Sequence, residues 1–122
     1  MGKETARDLS GKGAKVIILC RNVEKGHDAA TEITSETGNI VYIERLDLAS
    51  LRSVRKCAER VLDHVPKIDI LVNNAGVMGC PNWKTEEGYD LQFGTNHLGH
   101  FLLNQLLLPL LIKASYYGTK PR

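Results

Sequence analysis

Three short apolar runs punctuate the chain: Lys15-Val-Ile-Ile-Leu-Cys20, Ile40-Val-Tyr-Ile-Glu-Arg45 and Ile68-Asp-Ile-Leu-Val72. Runs of β-branched residues with little polar alternation are the pattern of parallel strands covered on both faces. Between them the period changes. Leu51, Val54, Cys57, Ala58, Val61, Leu62 and Val65 recur at spacings of three and four, which predicts an amphipathic helix over 51–65, with Ser50 as its N-cap. A second helix is expected from about Val23 to Glu36, ending near Gly38. Lys3 to Ser10 reads as a helix closed by Gly11 or Gly13 in the left-handed conformation. A long helix is expected from roughly Tyr89 to Lys113, with Pro109 kinking it late. The order α, β, α, β, α, β, α calls for an α/β fold with a parallel sheet between helical layers.

The third run is expected to be a central strand, and the polar turn Asn73-Asn-Ala-Gly76 follows it at once. In an open α/β sheet the carboxyl ends of the strands border the ligand crevice, so this turn is a candidate binding loop. Asparagine amides hydrogen-bond a backbone or a ribose, and glycine lets the chain pass close to a flat ring. The alternative is a polar turn after a core strand.

Composition narrows the classes. The 122 residues suit one domain, and 43% hydrophobic with 25% charged is ordinary globular usage. The formal charge of +2 comes from scattered residues without a basic block, so no nucleic-acid surface is expected. Cys20, Cys57 and Cys80 are odd in number and far apart, which argues against a disulfide framework and for an intracellular, reducing compartment. His97 and His100 could share a helix face, but no third ligand lies nearby and no metal site is expected. The charged start Gly2-Lys-Glu-Thr-Ala-Arg-Asp8 does not read as a signal peptide. Leu98 to Ile112, the most apolar stretch, is interrupted by polar residues and reads as too short to span a bilayer.

Gly2-Lys-Glu-Thr-Ala, Cys20-Arg-Asn, Asp47-Leu, Asn73-Asn-Ala-Gly and Asn96-His-Leu-Gly-His-Phe101 stand in an order and at spacings that resemble the short-chain dehydrogenase/reductase family, and more narrowly its retinol dehydrogenase-like branch. The resemblance covers about residues 2 to 114, a partial NADP-binding Rossmann-type domain, with 115–122 a non-homologous tail. It implies that Asn74, Ala75 and Gly76 lie along the adenosine and ribose side of the cofactor and that Asp47 and Leu48 flank the adenine. Gly2 matches the last glycine of the family's pyrophosphate turn. Arg21 stands where an NAD-selective enzyme carries an acidic residue, and its guanidinium can fork onto a 2′-phosphate, which favours NADP. Asn96 matches the catalytic asparagine that helps hold a water in a proton relay. The implied reaction is hydride transfer between a lipophilic alcohol, of the retinoid kind, and its aldehyde or ketone. The branch leaves open a parent protein associated with the endoplasmic reticulum or mitochondrial membrane.

The chain also departs from the family's pattern. The first strand with most of the glycine-rich turn, the catalytic serine, the Tyr-x-x-x-Lys helix and the substrate-binding remainder are not found, so the expected fold is a partial doubly wound parallel sheet lacking its first strand and carboxyl-terminal half. Tyr116-Tyr-Gly-Thr-Lys120 spells Tyr-x-x-x-Lys. At about 1.5 Å per helical residue and 3.5 Å per extended residue, however, it cannot come within roughly 15 Å of Asn96. The alternative reading is therefore a truncated or splice product without oxidoreductase activity. Loss of the first strand predicts self-association or loose packing.

Overall fold

A computed structural model describes all 122 residues. The elements are α1 (Gly2–Gly11), β1 (Val16–Cys20), α2 (Val23–Thr37), β2 (Val41–Arg45), α3 (Leu51–His64), α4 (Leu91–Phe93), a π-helical turn (Gly94–Gly99) and α5 (His100–Tyr116). The chain divides into two compact units, Met1–Leu46 and Asp47–Arg122.

The first unit is a βαβ motif preceded by a helix. β1 and β2 pair in parallel, Val16 opposite Val41 through Cys20 opposite Arg45. α2 makes the crossover between them, as parallel pairing requires. Its ends are set locally: the Asn22 side chain accepts from the Lys25 N–H at 3.0 Å, and Gly38 closes the helix at φ 74°. Gly13, at φ 84°, turns the chain out of α1. Ala6, Val16, Ala30, Ile33 and Val41 form the buried core, with Leu9, Ile18 and Ile43 against it. Across the solvent side of α1 and α2 runs an ionic lattice. Arg7 reaches Glu4, Glu32 at 2.5 Å and Glu36 at 2.6 Å, while Lys3 reaches Glu32 at 2.5 Å.

The second unit is helical. Ser50 caps α3 by accepting from the Ser53 N–H at 3.2 Å. The buried face of α3 is Val54, Cys57, Ala58 and Val61, and that of α5 is Leu103, Leu107, Leu110 and Ala114; the two helices pack together. α4, the π turn and α5 form one continuous helix, Leu91–Tyr116, of 26 residues and mean hydropathy 1.3. It is thus longer than the apolar stretch visible in the sequence and by length and composition could cross a membrane, a test that the core helix of a soluble protein also passes.

Two expectations need correcting. The run at 68–72 is not a strand of the sheet, which consists of β1 and β2 alone. Its ladder contacts are with the tail: the Arg122 N–H donates to the Asp69 carbonyl at 3.0 Å, and the Leu71 N–H donates to the Arg122 carbonyl at 2.8 Å. A strand exists only by pairing, and here one residue supplies the pairing. The long helix also contains a π turn in its first third, for which the sequence carried no sign.

Candidate cofactor-binding and catalytic site

The expected site residues divide between the two units, Gly2 and Arg21 in the first and Asp47, Leu48, Asn74, Ala75, Gly76 and Asn96 in the second. In the first unit Gly2 opens α1, and Arg21 stands exposed directly after β1. The neighbouring Cys20 thiol lies against Gly26, where an added Cβ would sit 2.6 Å from the sulfur, and it donates to the Asn22 carbonyl at 3.4 Å. Burial raises the Cys20 thiol above its ordinary value, keeping it protonated beside Arg21.

In the second unit the loop Asn73–Val77 lies over the π turn. Asn96, on that turn, uses its side-chain amide twice. Its Oδ1 accepts the Val77 N–H at 2.8 Å, and its Nδ2 donates to the Val77 carbonyl at 2.7 Å. The pair copies a strand's backbone exchange with a side chain. Gly76 leaves it room, since a Cβ there would stand a tight 3.2 Å from the Asn96 Oδ1. One N–H of the amide remains beyond these two bonds.

One helical turn on, His100 makes two further contacts with the loop, Nδ1 with the Asn73 Oδ1 at 3.1 Å and Nε2 with the Ala75 carbonyl at 2.7 Å. The outer side of the loop is free: Asn73, Asn74, Ala75 and Gly76 are exposed. The loop is thus fastened from beneath, with its outer side exposed. Sequence reasoning passed over this role of His100. The available signal was its spacing of four from Asn96, which places both on one helix face. His97, by contrast, lies between Phe93 and Phe101, with ring centroids 5.3 and 6.2 Å away, and does not join His100.

The π turn is held in place by close approaches at two glycines. A Cβ on Gly94 would lie 2.2 Å from the Thr85 Cγ2, and one on Gly99 would lie 2.5 Å from the Leu48 carbonyl oxygen. Leu48 is buried beneath this contact. The Asp47 Oδ1 accepts the Ala49 N–H at 2.9 Å, an Asx turn leading into α3. Tyr116 ends the same continuous helix that bears Asn96, 20 residues along and so about 30 Å away at about 1.5 Å per residue.

A parallel βαβ unit followed by a helical unit whose asparagine loop is braced by a helix is the pattern these features define. The model of the short chain dehydrogenase family matches residues 1–118. The chain belongs to that family. It is 52% identical over 116 residues to human retinol dehydrogenase 13, covering 94% of this chain and 35% of that protein. Among solved structures, the short chain dehydrogenase from Shigella flexneri superposes with a TM-score of 0.79 at 34% identity, over 92% of this chain and 46% of that one. The alcohol dehydrogenase from the archaeon Thermococcus sibiricus, complexed with 5-hydroxy-NADP, gives 0.77 at 27% identity over 90% and 48%. The chain therefore spans about a third of the curated relative's length.

Proposed function

We propose that these residues form the cofactor side of an NADP(H)-dependent oxidoreductase that moves hydride between a lipophilic alcohol, of the retinoid class, and its aldehyde or ketone. The observation that carries this reading is the fastening of the Asn73–Val77 loop to one helix, at Val77 by Asn96 and at Asn73 and Ala75 by His100, in a chain whose relatives are dehydrogenases. Asn74, Ala75 and Gly76 would line the adenosine and ribose, with Asp47 and Leu48 by the adenine and Gly2 by the pyrophosphate. Arg21 would fork onto the 2′-phosphate, a planar bidentate contact that lysine cannot copy. Asn96 would hold the relay water through its remaining side-chain N–H. The cofactor, when bound, supplies or accepts the hydride.

The test places these residues within the full length of a retinol dehydrogenase, replacing the matching segment. Arg21→Asp should weaken NADPH binding by about 1–3 kcal/mol, roughly 5- to 150-fold, while NADH changes little. Equal weakening of both cofactors would refute the assignment of Arg21.

The 122-residue polypeptide by itself is a different matter, because its tyrosine lies about 30 Å from Asn96 and proton relay needs contact or one bridging water. It should show no turnover with NADPH and a generic aldehyde. Turnover that disappears in Tyr116→Phe would prove that expectation wrong.

A further inference from the structure

Asn96 alone leaves most of the binding loop loose. Its two bonds both go to Val77, at the far end of the loop from Asn73. Within 73–76 the one backbone bond is from the Asn74 N–H to the Val72 carbonyl, at 3.1 Å. The remaining anchors are the two contacts of His100, at Asn73 and at Ala75. The two anchoring residues are four apart on one continuous helix, so a single rigid face grips the loop at both ends.

We propose that His100 is a positioning residue: its imidazole fixes the path of Asn73–Ala75 and thereby aims the exposed side of Asn74–Gly76 at the cofactor. The proposal rests on the reading of this loop as the cofactor's. Hydrogen-bond chemistry sets the tautomer. A carbonyl can only accept, so the Nε2 facing Ala75 carries a proton. In the neutral ring Nδ1 then accepts, and the Asn73 amide must turn its NH2 toward it. In the charged ring Nδ1 donates to the Asn73 Oδ1. Either arrangement keeps both anchors.

The test uses NMR on the isotopically labelled full-length retinol dehydrogenase that carries these 122 residues in place of its matching segment. Imidazole nitrogen shifts of His100 should report a protonated Nε2; a ring protonated on Nδ1 alone would overturn the proposal without any substitution. Backbone order parameters of residues 73–77 give the second readout. In the unsubstituted chain they should match the flanking helix, near 0.85, and in His100→Leu, which keeps bulk and loses both bonds, they should fall below about 0.6. His100→Gln places an amide N–H near the position of Nε2 and should restore order around Ala75 while leaving Asn73 mobile. An equally ordered loop in all three proteins would overturn the proposal. Titrating NADPH into the same samples separates the two ideas. If no resonance of 73–77 moves in the unsubstituted chain, the cofactor reading fails, while the tautomer and the order parameters still decide whether His100 holds the loop.

Discussion

At the scale of single residues, the glycines show how identical chemistry answers different demands. Gly38 has open space around it and is needed for its φ of 74°. Gly99 is helical, with an ordinary backbone, and is needed because the Leu48 carbonyl oxygen would stand 2.5 Å from any Cβ. Alanine at position 99 would gain about 1 kcal/mol of helix propensity over glycine, yet the obstructing atom is backbone and cannot swing aside. Gly99→Ala should therefore lower stability by about 1–3 kcal/mol, read as the midpoint of denaturant unfolding. An unchanged or raised midpoint would mean that the helix does not press on Leu48. Asn96 was legible from its motif, whereas its partner Val77 was not. The two lie 19 residues apart, and only the course of the intervening loop brings them together. The same holds for His100, visible in the motif but not in its contacts with Asn73 and Ala75.

At the scale of elements, what was legible is what is decided locally. Asn22, Gly38 and Ser50 mark helix ends through bonds that span a few residues, and the structure places those ends within a residue or two of the expected positions. The π turn escaped because nothing local compels it. It accompanies close approaches to Thr85 and Leu48, which are distant in sequence. Nor could the pattern show how α1 is fastened to α2. Glu4 is held below the usual carboxylate range by its hydrogen bond with Arg7, and Glu32 by its hydrogen bond with Lys3. A carboxylate whose folded value is depressed stabilises the folded state above its ordinary value, about 4.5. That stability is lost as the pH falls through the folded value. The first unit should hence lose stability below about pH 4.5, and Glu32→Gln should flatten that fall. The measurement is the unfolding midpoint at neutral pH and at about pH 3 in both proteins. Parallel curves would show that the lattice of Lys3, Arg7 and Glu32 is a solvated surface with no thermodynamic weight.

At the scale of the whole molecule, the two strongest apolar patterns are the least satisfied by the structure. β1, Val-Ile-Ile-Leu-Cys, is composed as a strand covered on both faces, yet only Val16 is fully buried and the other four are half-buried. In the second unit Ile70 is 50% and Val72 51% exposed, and along the long helix Phe93, Phe101, Leu108 and Ile112 face outward. Two-stranded sheets are marginal in water, and strand edges with unpaired N–H and C=O groups recruit other strands. Large apolar side chains exposed along one helix favour packing against more protein. For the 122-residue polypeptide alone, the surface at hand in concentrated solution is that of another copy. It should therefore sediment as dimers or larger species, and its amides in β1 and at 68–72 should exchange rapidly until association protects them. Analytical ultracentrifugation across a concentration series, paired with hydrogen exchange, checks both halves of the expectation. A monomer at every concentration with strongly protected amides in both runs would mean that the apolar patterns are satisfied within one chain and that their exposure does not drive association.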